Sequence, residues 1–308
     1  MNASPSQTAI RGVWPAALTP LEADGRIAHD LFAKHCRTMF AGGCAGTAIF
    51  GTTGEGQSFS VAERKEALER LLAAGIPPAQ IVVGTGCAAL PDTAELTRHA
   101  AELGVAGVLA LPPFFWRQPG DDGVYAAYAK LVELLAGVKT RIILYHIPQV
   151  TGVPVPPAVV GRLAKQFPGV IAGVKDSSGD WENTAALLKI ARDLTILVGH
   201  EPFLPRALKA GAAGTICGLG NYRPALLRRL NDSAGRPEEA RLVDVIGKLA
   251  ALVTDVPFVP AMKALMAAES GEARWLNVRT PLLPPSEAER SRLLAAARSF
   301  DAEAKAAA

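Results

Sequence analysis

Short, almost wholly apolar runs recur along the chain at 13–19, 46–51, 81–86, 107–111, 141–147, 170–175, 195–199 and 214–218. Between them lie longer stretches in which apolar positions return every three or four residues. The short runs carry no polar alternation, as strands covered on both faces do in a parallel sheet. The longer stretches predict helices at 30–40, 61–74, 92–103, 124–135, 157–167, 181–192 and 203–209.

Local punctuation agrees with this division. Ser60 stands just before one helical stretch with Glu63 three residues on, the spacing of a capping box. Pro91-Asp92 opens another helix, and Gly43, Gly75, Gly104 and Gly211 follow helix ends, where glycine takes a left-handed cap with little strain. Eight strand–helix units in about 220 residues predict an α/β fold, a (β/α)8 TIM barrel. A doubly wound open sheet is the other arrangement of such units, but no G-x-G-x-x-G follows the first strand. From Arg223 onward strands cease, and helices are expected at 225–230, 238–252, 259–269 and 285–302. The expected organisation is a catalytic barrel over 1–230 and a C-terminal helical extension over 231–308 packed on it.

Composition narrows the setting. The 308 residues are 49% hydrophobic and 20% charged, ordinary for a soluble globular protein. A net charge of +3 without long like-charge runs gives no footprint for nucleic acid. No stretch is apolar over a membrane-spanning length, and the first eleven residues lack the apolar core of a signal peptide. Cys36, Cys44, Cys87 and Cys217 form no C-x-x-C pair, so no zinc cluster is expected and a reduced cytoplasmic setting fits; His200 and Glu201 have no third ligand at suitable spacing, so no other metal site is expected.

In a barrel of this kind the chemistry sits at the C-terminal ends of the strands. Those ends carry Thr52, Thr53, Glu55, Phe114, Phe115, Tyr145, His146, Lys175, Asp176, His200, Glu201 and Asn221. Lys175 closes the apolar run Val170-Ile171-Ala172-Gly173-Val174, whereas most lysines fall on helix faces or loops. An inward lysine gives up solvation of its charged form, and a neutral amine can attack a ketone to form an imine. A buried lysine paired with Asp176 or Glu55 is the other reading. Tyr145 ends the fifth strand, where a phenol can shuttle protons or simply pack at the rim. Gly51-Thr52-Thr53-Gly54-Glu55-Gly56 offers two hydroxyls and unobstructed N–H groups for a carboxylate, and it can equally be a tight turn. Asp176-Ser177-Ser178-Gly179-Asp180 reads as a helix-capping loop.

Taken in order, Gly51-Thr52-Thr53-Gly54-Glu55, Tyr145-His146-Ile147-Pro148 and Gly173-Val174-Lys175-Asp176-Ser177-Ser178-Gly179 form a recognisable series. The chain resembles the dihydrodipicolinate synthase / N-acetylneuraminate lyase family of class I Schiff-base aldolases over nearly its whole length. The resemblance implies that Lys175 is the Schiff-base lysine and Tyr145 the general acid/base. It implies that Thr52 and Thr53, beside Gly51, hold the carboxylate of a bound 2-oxo acid, and that the Ile216 carbonyl faces the site. It also implies no cofactor and a homotetramer.

Two departures shape the expected substrate. Synthases proper read Tyr-Asn-x-Pro-x-Arg-Thr-Gly after the fifth strand, with the arginine clamping a carboxylate. Here Val150 stands in its place and His146 replaces the asparagine. Losing a charge-assisted clamp of about 2–3 kcal/mol weakens such a second substrate roughly thirtyfold or more. The relay tyrosine of Pro-Tyr-Tyr is Phe115 here, in Pro113-Phe114-Phe115. The expected pocket is aromatic, walled by Phe114, Phe115 and Trp116, with Gly199 and Glu201 offered to the hydroxyls of a polyol tail. The leading expectation is a pyruvate-dependent aldolase or lyase acting on a 2-keto-3-deoxy sugar acid or related hydroxylated 2-oxo acid. A dehydratase using the same imine, a 4-hydroxy-tetrahydrodipicolinate synthase, and a non-enzymatic 2-oxo-acid-binding barrel are the alternatives.

Overall fold

The computed structural model describes residues 10–190 and 193–306. Eight parallel strands form the centre: β1 Gly12–Pro15, β2 Thr47–Ile49, β3 Ile81–Gly84, β4 Gly107–Ala110, β5 Ile142–His146, β6 Ile171–Asp176, β7 Thr195–Val198 and β8 Gly214–Cys217. The ladder runs β1-β8-β7-β6-β5-β4-β3-β2. Its ends meet through an Ala16–Ala48 bridge, with Ala45 N donating to Val13 O and Ala17 N to Ala48 O. The barrel is thereby closed apart from a thin β1–β2 seam, where Pro15 has no N–H to give.

The outer layer is α1 His29–Ala41, α2 Val61–Ala73, α3 Leu90–Glu102, α4 Gly120–Leu134, a one-turn α5 Pro148–Thr151, α6 Pro157–Gln166, α7 Trp181–Ile190 and α8 Leu204–Lys209. Then come α9 Pro224–Asp232, α10 Glu239–Ala251, α11 Phe258–Ser270 and α12 Glu287–Ala306. Every expected helix is present. The expected end of the seventh, 191–192, lies outside the described residues. The capping box at α2 forms as its spacing predicts: Ser60 N donates to Glu63 at 2.9 Å and Glu63 N to Ser60 Oγ at 3.3 Å.

The strands differ by a few residues from the expected spans, and two of these differences shape the barrel mouth. The second strand stops at Ile49 because Phe50 adopts φ 56°, turning the chain into the loop that carries Thr52 and Thr53. The first strand ends at Pro15 rather than reaching Thr19. There Leu18 N donates to Asn221 Oδ1 and Thr19 Oγ1 to Gly54 O, so this segment braces the loops at the barrel mouth.

Two apolar clusters result. Trp14, Val82, Leu109, Ile143, Leu197 and Ile216 fill the barrel interior. A larger layer between strands and helices runs without a break from Val13 and Ile49 to Leu249 in α10, Met262 in α11 and Trp275 beyond it. The helical extension thus shares the core of the barrel. No helix among the described residues is long and apolar enough to cross a membrane.

Candidate active site

Successive residues of a strand point to opposite faces, so the parity of each strand decides what enters the barrel. The β5–β6 register runs Ile143↔Gly173, Leu144↔Val174 and Tyr145↔Lys175, after an irregularity at Ile142/Ile143. Ile143 and Tyr145 face the interior cluster. Gly173 and Lys175 share their parity and face inward, while Val174 joins the outer layer. Gly173 must be small: a Cβ there would come within 2.3 Å of Thr195 O.

Lys175 is buried, and its Nζ donates to the Tyr145 hydroxyl at 3.1 Å. The same Nζ lies 4.3 Å from the centroid of the Tyr145 ring. The Thr52 hydroxyl is 3.4 Å from the Tyr145 oxygen, at the outer limit of a hydrogen bond. Burial pushes the Tyr145 phenol up, but the Lys175 charge and hydrogen bonds from Thr52, Lys175 and Ser177 outweigh it and hold the phenol below its ordinary value. Three strand ends and the β6 loop therefore converge on one oxygen.

The pairings considered for Lys175 are taken by other groups. Asp176 points outward and accepts from Ser178 N, Ser178 Oγ, Asn183 Nδ2 and Thr184 Oγ1, which secures the start of α7. Glu55, at φ 56°, forms a buried ion pair with Lys263 of α11 and also accepts from Arg279 N at 3.1 Å. Its neighbours Thr52 and Thr53 sit in a turn closed by Glu55 N to Thr52 O and Gly56 N to Gly51 O. Among the described residues the turn's own bonds leave the Thr52 and Thr53 N–H groups free, and nothing lies within 4 Å of a Cβ at Gly51. A small anion can approach this backbone closely.

Several expected site residues serve the scaffold. The Glu201 carboxylate is buried and accepts from Gly218 N at 3.0 Å and Leu219 N at 3.1 Å, so it secures the loop after β8 rather than presenting itself to hydroxyls. His146 Nδ1 accepts from Val155 N at 2.9 Å and pins the loop after β5; burial lowers its pKa against the pull of Asp176 and Asp180. The Ile216 side chain packs inside the barrel, which leaves the role expected of its backbone carbonyl untouched. Phe115 is 72% exposed and meets the Trp116 ring edge to face, and neither lines the pocket; Phe114 does.

Gly199 has a definite reason. A Cβ at that position would lie 1.9 Å from Ser177 Oγ, so only glycine leaves room for this hydroxyl, one of the groups that lower the Tyr145 pKa. Ser177 was read only as part of a helix cap. Its inward parity, two residues beyond Lys175 on the same strand direction, was the available signal.

Beside Tyr145 lies a cavity of about 410 Å³. Thr52, Phe114, Tyr145 and Val150 line it, together with Pro281 and Leu282 from the segment after α11. Sequence reasoning did not place that segment at the site. No group of three metal-ligating side chains stands close enough to hold an ion among the described residues.

The profile of the dihydrodipicolinate synthetase family matches residues 9–299. The chain belongs to that family. A DapA-like lyase of Chloroflexus aurantiacus is 38% identical over 288 residues, covering 93% of this chain and 95% of the relative. A 4-hydroxy-tetrahydrodipicolinate synthase of Thermus thermophilus is 32% identical over 226 residues, 73% of this chain and 74% of the relative. The crystal structure of a dihydrodipicolinate synthase from Agrobacterium tumefaciens superimposes with a TM-score of 0.86 at 34% identity, over 94% of this chain and 99% of that one. This member of the family is a lyase of the class I aldolase type. The convergence of Lys175, Tyr145 and Thr52 stands at the C-terminal mouth of its barrel, where such an activity belongs.

Proposed function

We propose that the protein cleaves a hydroxylated 2-oxo acid to pyruvate and an aldehyde through an imine on Lys175. The observation that carries this is the 3.1 Å contact between Lys175 Nζ and Tyr145 OH at the inner end of the barrel. The amine attacks the C2 carbonyl, and water leaves to form the imine. The substrate carboxylate rests on the Thr52–Thr53 backbone and hydroxyls. Tyr145 takes the proton of the C4 hydroxyl, the C3–C4 bond breaks, and its electron pair is held as the enamine. Protonation at C3 and hydrolysis then release pyruvate and return the free amine. The chain's own groups suffice for each step, so no cofactor enters the reading.

Val150 lines the cavity without a charge, which speaks against a carboxylate-bearing partner such as the synthases use. The sugar-acid narrowing rested in part on Glu201, whose Oε1 is taken by backbone amides. The reading therefore keeps a 2-oxo acid and leaves its tail to the lining of the cavity. A homotetramer in the cytoplasm is part of the same proposal, and sedimentation of the purified protein checks the assembly.

Incubation with pyruvate and borohydride tests the imine. A reduced adduct on the peptide containing Lys175 supports the reading; an unmodified Lys175 overturns it, together with the dehydratase and synthase alternatives.

A further inference from the structure

The cavity beside Tyr145 is built for a tail with few hydrogen-bonding groups. Leu109, Leu111, Phe114, Val150, Pro281 and Leu282 supply apolar wall on several sides. The polar side chains at its edge are already engaged. Gln57 Nε2 donates to Gly86 O at 2.6 Å. Thr151 Oγ1 bonds Ile147 O and Val153 O. Glu55 is held by Lys263 and Arg279, and Thr52 and Tyr145 contact each other. Ser58 is the one side-chain hydroxyl of this lining without a protein partner among the described residues.

A polyol entering this space would exchange water for walls that return few of its hydrogen bonds, and each unmet hydroxyl is penalised. An alkyl or aryl group meets the opposite balance, since its transfer from water is favourable in itself.

One wall comes from far along the chain. Arg279 ties the segment after α11 to the barrel: its guanidinium bonds Gly25 O, Ser58 O and Glu63, and lies 4.3 Å over the Phe59 ring. Its backbone N–H donates to Glu55, three residues past Thr52. Lys263 bonds both Glu55 and Asn277 O. Pro281 and Leu282 are thereby held against the cavity at a fixed distance from the loop proposed to carry the substrate carboxylate.

We infer that the substrate is a 4-hydroxy-2-oxo acid with an apolar alkyl or aryl group beyond C4, and that Leu282 is a specificity-determining residue for that group. This rests on the imine reading above. The test compares aldol cleavage of a 4-hydroxy-2-oxo acid bearing a phenyl group at C4 with that of a six-carbon 2-keto-3-deoxy sugar acid, on the full-length protein. The expected result is a kcat/KM at least about tenfold higher for the phenyl compound, the scale on which apolar pockets discriminate. Leu282→Ala should lower that ratio several-fold, chiefly through KM for the phenyl compound. Because the ratio is taken on one preparation, partial misfolding does not imitate it. Equal or reversed preference in the wild type overturns the inference, and an unchanged ratio in Leu282→Ala overturns the role of Leu282. Borohydride trapping of pyruvate on the same preparation separates the two levels: trapping with a polyol preference sinks the tail assignment alone, whereas absence of trapping sinks both.

Discussion

Lys175 and Tyr145 are register partners on adjacent strands, with Nζ 3.1 Å from the phenol oxygen. Parallel pairing puts both on the inward face at the same height, so the proposed imine and its proposed proton carrier share one layer of the barrel. Tyr145→Phe keeps the ring and removes the proton. Its kcat should fall by about 10²–10⁴-fold, the ordinary range for a positioned acid/base. Borohydride should still trap pyruvate on Lys175 in this variant, more slowly. Steady-state cleavage rates and adduct mass spectrometry check both halves; a kcat near wild type would remove Tyr145 from the mechanism.

Gly199 and Ser177 give a second, indirect handle on the same phenol. In Gly199→Ala the new methyl would meet Ser177 Oγ at 1.9 Å and must displace it. Ser177 is one of the groups that lower the Tyr145 pKa, so its loss lets the phenol rise toward its ordinary value. The expected outcome is a kcat reduced on the order of tenfold. The limb of its pH profile that follows phenol ionisation should move to higher pH. Ser177→Ala should reproduce the shift without steric strain, and an unshifted profile in both variants would show that Ser177 does not tune Tyr145.

The Lys263–Glu55 pair predicts a stability effect that spans the chain. Both side chains are almost wholly withdrawn from solvent. Removing one partner strands the other's charge, which typically costs about 3–5 kcal/mol. Lys263→Met should therefore be destabilised by that amount in denaturant titration. Adding Glu55→Gln to it should restore a substantial part, since no buried charge then remains. A double variant as unstable as the single one would mean that packing, not charge, sets the cost.

His35 predicts an acid dependence. It is fully buried, its Nε2 is 2.8 Å from Asn221 Oδ1, and its ring packs at 4.9 Å on Trp275. Burial lowers its pKa to about 4, against a slight upward pull from Asn221. The neutral ring is the folded form, so its contribution is complete above about pH 6.5, where the unfolded histidine titrates. It is lost progressively as pH falls from there towards 4. The unfolding free energy of wild type relative to His35→Gln should drop by about 2–3 kcal/mol between pH 7.5 and 4.5. A pH-independent difference would place the titration elsewhere.

The sequence carried the architecture because period and punctuation are local. Ser60 with Glu63, the glycines after helices and the unbroken apolar strands each report on their own neighbourhood. The meeting of Lys175 and Tyr145 was legible for the same reason: each stands at or near a strand end, and strand ends define the mouth of a barrel. Glu201 and His146 were expected at the site from the resemblance and from their place at strand ends. What their polar atoms bond, the amides of Gly218 and Leu219 in one case and Val155 in the other, depends on loops packing together, and residue spacing does not encode that. Phe115 failed similarly, since a loop with no periodicity decides which of two adjacent phenylalanines turns inward. Lys263, Arg279 and Leu282 were hidden by distance. Lys263 reads as one more lysine on a helix until α11 is seen against the β2–α2 loop, 208 residues away.

That last contact has a bearing on synthesis. The barrel strands are all translated by Cys217, yet the loop with Thr52 and Thr53 still lacks the partners of Glu55, and the cavity lacks one wall. Only when Lys263, Arg279 and Leu282 have left the ribosome can the site reach its final shape. A nascent chain or a fragment cut after the eighth strand lacks those partners, one wall of the cavity and the part of the core that the extension supplies.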